Sequence, residues 1–137
     1  GFYHIDRFNP ASYFHMSLGI YYPNASERIL GYKASLGGDI FIHGACVTVG
    51  CIPITNAKIK ELYILAVQAK NAGQKKIPVL IFPNKMRPAQ MEALKKEAPQ
   101  LMDFWVNLKA GHDLFESSKQ LPAFRVTEKG HYVFTGS

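Results

Sequence analysis

The sequence predicts an α+β domain, and three observations carry that prediction. In the first half, apolar and polar residues alternate in short segments, the period-two pattern of strands half-buried in a sheet. In the second half, two segments carry apolar residues at helical spacing and a third opens with proline in a helix-compatible first turn. The chain then closes on two short apolar segments around a Glu-Lys-Gly turn, a strand pair.

The elements follow in order. Residues 2–5 read as a short strand, ended by turn material at Asn9-Pro10. A second strand spans 13–21, with Phe14, Met16, Leu18 and Ile20 on one face and Tyr13, His15, Ser17 and Gly19 on the other. The face carrying His15 and Ser17 is either solvated or lines a cleft. Residues 22–26 and 33–38 read as loops, and Asp39 to His43 as a compact apolar strand. Thr55 or Asn56 caps a helix carrying Ile59, Leu62, Tyr63 and Ala66, and Gly73 suits its C-terminal end. A proline-bounded strand, Pro78 to Pro83, is expected to be buried. Pro88 opens a helix to about Ala98, and Leu101, Phe104, Trp105 and Leu108 mark a third helix. Ala123 to Thr127 and His131 to Phe134 form the closing pair.

Composition bounds the rest. With 137 residues, 47% hydrophobic and 19% charged, one domain covering residues 1–137 is expected, since two of typical size need roughly 200 residues or more. No apolar run reaches the roughly 18 residues of a membrane span, so no transmembrane segment is expected. Two cysteines do not make a disulfide scaffold. The net charge of +6 favours an anionic partner, but Lys75-Lys76 and Lys95-Lys96 are the only basic pairs and no basic block exists. No nucleic-acid partner is therefore expected. The chain opens on strand-like residues with no signal-peptide pattern, so a mature or truncated chain is expected.

Chemistry concentrates in residues 42–53. His43 ends a strand, and Cys51 follows it by eight positions across small and flexible residues. A loop so short can bring imidazole to sulfur. Cysteine is a nucleophile as thiolate, and at its free pKa of about 8.5 little thiolate exists at neutral pH; a neighbouring imidazole removes that limit. Gly50 permits a sharp turn before Cys51, so that the Val49, Gly50 and Cys51 amides could converge on an oxyanion. The Thr48 hydroxyl could orient the ring or the loop. A buried structural cysteine is the competing reading. A zinc site of His43, Cys46 and Cys51 is short of ligands, so no metal or other cofactor is expected. A Cys46–Cys51 disulfide would mask the nucleophile.

The pattern His43-Gly44, a spacer, Thr48 and then Gly50-Cys51-Ile52 resembles the signature of the L,D-transpeptidases, the YkuD-type catalytic domain. The stretches Gly1-Phe2-Tyr3-His4-Ile5, Asn9-Pro10, Phe14 to Gly19, Tyr22 to Ala25, Gly38 to Gly44 and Phe104 to Lys109 resemble the YafK-like branch. Pro53-Ile54-Thr55 departs from the polar residue many members carry after the nucleophile. The resemblance implies a mainly-β core sheet with helices in the C-terminal half, lacking strands that usually precede Gly1. It implies cysteine-dependent acyl transfer on peptidoglycan stem peptides in the bacterial periplasm or cell envelope. Cys51 would be the nucleophile and His43 its base, with Thr48 and Gly50 in the family's Ser/Thr and glycine positions. His15 and Tyr13, on the polar strand face, are candidate substrate contacts. Three alternatives stay open: hydrolysis of the same bonds, including release of a wall-anchored protein; a non-catalytic wall-binding module; and a basic polymer-binding domain with no site.

Overall fold

The computed structural model describes residues 1–13 and 15–135 and is mixed α+β. The chain divides into two compact units. One comprises Phe2–Asn24 and Gly37–Leu80; the other comprises Gly1, Ala25–Leu36 and Ile81–Ser137.

The first unit is built on a five-stranded sheet in the order β4-β3-β2-β1-β5. Its strands are β1 (Phe2–Ser12), β2 (His15–Ile20), β3 (Ile40–His43), β4 (Ile52–Pro53) and β5 (Ile77–Leu80). All neighbours are antiparallel except β3 and β4, which run parallel. Helix α2 (Asn56–Asn71) packs against β2, β3 and β5. The core consists of Ile5, Leu18, Ile20 and Ile42 from the strands with Ile59 and Ala66 from α2, all buried. Burying large aliphatic side chains contributes about 1.5–3 kcal/mol each, which is what holds the helix on the sheet. Thr55 caps α2 as the sequence predicts, its hydroxyl accepting from the Lys58 N–H.

Three strand expectations change. Strand β1 runs through Asn9-Pro10 to Ser12 instead of turning there. The ladder with β2 slips between Asn9 and Ser12, and at such a bulge proline's missing N–H costs nothing. The Pro78 strand is half-buried rather than buried, because β5 is an edge strand paired only to β1. Ser17 and Gly19 are buried along with Leu18 and Ile20, so both faces of β2 are covered at this end. Phe14, read as an inward residue of β2, lies outside the described residues.

The second unit holds α1 (Ala25–Leu30), α3 (Pro88–Glu97), a 3-10 turn at Pro99–Leu101, α4 (Met102–Ser118) and the hairpin of β6 (Ala123–Val126) with β7 (Tyr132–Thr135). Helix α1 replaces the loop expected through Ser26, so not every helix falls in the C-terminal half. Its anchor is remote in sequence: the fully buried Ser26 donates its hydroxyl to the Gly130 carbonyl at 2.6 Å. The Asn107 carboxamide on α4 holds both main-chain groups of Tyr132, accepting from its N–H and donating to its carbonyl, each at 2.8 Å. Among the described residues, no helix is long and apolar enough to cross a membrane.

Candidate active site

Strand β3 ends on His43 for a geometric reason. His43 lies opposite Ser17 of β2, and the next N–H, that of Gly44, donates to the Met16 carbonyl. On the other side, Ile54 N–H donates to the His43 carbonyl at 2.9 Å. Ser17, Gly19, Phe41 and His43 share one sheet face, since directly paired residues point the same way. The imidazole is almost wholly buried.

The ring's two nitrogens are used differently. Nδ1 lies 2.5 Å from the Gly44 carbonyl oxygen, and a carbonyl only accepts, so Nδ1 carries the proton. Nε2 then presents its lone pair to the Thr48 hydroxyl, 3.3 Å away. The same Thr48 oxygen accepts from the Cys51 N–H at 3.0 Å. One hydroxyl therefore joins the imidazole to the Cys51 segment: the Cys51 amide donates to Thr48, and Thr48 donates to His43.

The Cys51 thiol is half-buried and reaches toward the Asp39 carbonyl at 3.9 Å. Cys46 is exposed, and both cysteines are free thiols. Gly50 has φ 85°, a conformation that glycine adopts without strain, and a Cβ there would meet nothing within 4 Å. The glycine is thus required by backbone conformation and not by space. Val49 and Val47 beside it are exposed.

Asp39, given no role by the sequence reading, is tied into the site from behind. Its carboxylate pairs with Arg7 at 2.9 Å, and Arg7 also bonds Asp6 at 3.0 Å and lies 5.0 Å above the Phe41 ring. The hydrogen bonds that Arg7 donates to Asp39 and Asp6 raise its guanidinium above the ordinary pKa. Gly19 exists to admit this arginine: a Cβ there would come within 2.8 Å of Arg7 Nε and 2.9 Å of its Cβ.

The 44–51 loop is closed by the start of α2. Ala45, with φ 62°, donates its N–H to Asn56 Oδ1 at 2.8 Å and accepts at its carbonyl from Thr55 N–H at 3.1 Å. By sequence, Asn56 is only a possible helix cap. Its second use depends on a contact eleven positions away.

The remaining sequence candidates sit at the tip of the β1–β2 hairpin. Tyr13 is fully exposed, and His15 is exposed with φ 80°, paired opposite Ser12. The tip and the 44–51 loop leave the sheet at the same end, because Ser17 pairs with His43 and Met16 accepts from Gly44.

Comparison with known proteins adds an independent observation. The chain is 36% identical over 135 residues to the Escherichia coli (strain K12) protein named "Putative L,D-transpeptidase YafK", a stretch that covers 97% of this chain. The same figures hold for the protein of that name in Escherichia coli O157:H7. The chain carries a YafK-like, L,D-transpeptidase-type domain. It spans about half the length of the curated relatives it matches, 52% in each. No family profile matches it. The YafK-like match takes in nearly the whole chain, so it includes β3, the 44–51 loop and the start of α2.

Proposed function

We propose that this YafK-like domain is a cysteine-dependent acyl-transfer enzyme acting on peptidoglycan stem peptides in the bacterial cell envelope. The observation that carries the proposal is the Thr48 hydroxyl, bonded at once to His43 Nε2 and to the Cys51 amide. A ring held by a carbonyl on one nitrogen, with the other facing the nucleophile's loop, is the arrangement of a base with its orienting group. The resemblance supplies the substrate class, and the basic balance of the chain suits carboxylate-bearing stems.

The Cys51 thiol swings from the Asp39 carbonyl toward His43, and Nε2 takes the thiol proton where the Thr48 hydroxyl now stands. The Cys51 sulfur attacks the amide carbonyl of a stem peptide. A bond forms between sulfur and carbonyl carbon, and the carbonyl's electron pair moves onto its oxygen. The Val49 and Gly50 amides receive that oxyanion, while the Cys51 N–H keeps its bond to Thr48 and holds the nucleophile's segment in place. Collapse breaks the carbon–nitrogen bond, and the His43 proton goes to the departing amine. The thioester is then opened by a second amine, giving a crosslink, or by water, giving a shortened stem or a freed wall-anchored polypeptide; either step returns the Cys51 thiol. Tyr13 and His15, at the same end of the sheet, would contact the stem peptide.

The test is mass spectrometry of muropeptides incubated with the protein. New dimers, shortened stems or a released polypeptide, each lost in Cys51→Ala and His43→Ala, are expected. Products that persist in Cys51→Ala would overturn the proposal. Unaltered muropeptides, with binding that survives Cys51→Ala, would instead indicate a non-catalytic wall-binding module.

A further inference from the structure

We infer that Asn56 is a positioning residue for the His43–Cys51 pair: its carboxamide locks Ala45, the residue at which the chain turns from β3 into the site loop. The inference rests on the acyl-transfer reading above. Ala45 is not glycine, yet its φ of 62° is left-handed, a conformation that persists only where surrounding structure enforces it. The enforcement comes from the β4–α2 junction. Ile54 grips the His43 carbonyl with its N–H, and Thr55 grips the Ala45 carbonyl with its own. Asn56 completes the set by accepting the Ala45 N–H at 2.8 Å.

Two of these grips are main chain and survive side-chain replacement. Only the third depends on residue type. Asn56 is also not needed as the helix cap, because the Thr55 hydroxyl already accepts from Lys58 N–H. Asparagine is a weak helix former, better suited to the cap itself than to the first helical position it occupies here. Its place is explained by its bond to Ala45.

The consequence reaches the chemistry through the loop's direction. From Ala45 the chain must return within six residues so that Thr48 Oγ1 spans His43 Nε2 and the Cys51 N–H. Without Asn56, the Ala45 φ is free to relax to negative values, and the loop leaves β3 along a different line. Thr48 then loses the ring, and Cys51 loses its approach to the base.

The experiment measures alkylation of Cys51 by iodoacetamide from pH 5 to 9, in a Cys46→Ser background so that one thiol reports. Muropeptide turnover and thermal melting are followed in parallel. Asn56→Ala should slow Cys51 alkylation at neutral pH roughly three- to tenfold, the effect of one lost hydrogen bond, and bring its pH profile toward that of an unassisted cysteine. Turnover should fall through kcat with KM little changed. Asn56→Asp keeps the acceptor oxygen and should restore both rate and profile. Asn56→Ser, too short to reach Ala45, should behave as Asn56→Ala and serves in its place if the alanine variant does not fold. The inference is overturned if the Ala and Ser variants match the parent, or if Asn56→Asp is as slow as they are. A separate outcome would be a parent Cys51 no faster than a free cysteine and indifferent to His43→Ala. That would remove the acyl-transfer reading, and the role of Asn56 with it.

Discussion

Replacing Thr48 by valine removes one oxygen and keeps the side chain's shape, so it isolates the bridge between His43 and Cys51. Two hydrogen bonds go. The one to the Cys51 amide, at 3.0 Å, has ordinary length, whereas the one to His43 Nε2, at 3.3 Å, is long. Thr48 is half-buried, so water can replace part of what is lost. The His43 bond gives way when Nε2 takes the thiol proton, so the bond to the Cys51 amide carries the effect, about 0.5–1.5 kcal/mol. If all of it is expressed in the transition state, kcat/KM falls about two- to twelvefold. Muropeptide turnover reads the loss directly, and Cys51 alkylation reads it without substrate. Thr48→Ser keeps the hydroxyl and should stay within about twofold of the parent. Equal rates in the valine variant and the parent, or a serine variant as slow as the valine one, would refute the argument that this hydroxyl couples His43 to Cys51.

Other consequences can be checked on the second unit by denaturant unfolding. Asn107→Ala deletes both bonds to the Tyr132 main chain and should cost about 2–3 kcal/mol; an unchanged midpoint would show that water substitutes for the carboxamide. Gly130→Ala adds a Cβ only 2.6 Å from Leu30 Cγ at a φ of 83°, and steric and backbone strain should together cost about 2–4 kcal/mol. Burial pushes the Asp113 carboxyl up, but its bonds to Lys109 and His112 prevail and hold it below its ordinary 3.8. A depressed carboxylate contributes stability that is present above its unfolded value and is lost as pH falls through the folded one. Thermal melts should therefore be flat for this group above about pH 5 and decline below about pH 4, and Asp113→Asn should flatten that acid limb. An acid limb identical in the two proteins would refute the assignment.

The sequence by itself determined what is local. His43, Thr48, Gly50 and Cys51 lie within nine consecutive residues, so motif and turn chemistry exposed them together. Thr55 was legible as a cap because capping is a contact over three residues. The periodicity of α2 and the Pro88 helix start were likewise short-range signals. Tertiary structure decided whatever depends on partners remote in the chain. Strand β1 continues through Pro10 because β2 slips its register to accommodate it. Helix α1 is anchored by a Ser26 hydroxyl bonded 104 positions away. The thiol's resting contact is the Asp39 carbonyl, the Cys51 amide is engaged by Thr48, and Ala45 is held by Asn56. Periodicity and motif record which residue types a segment needs; which main-chain groups those residues then hold is set by how the strands align, and pairing of that kind leaves no trace in neighbouring sequence.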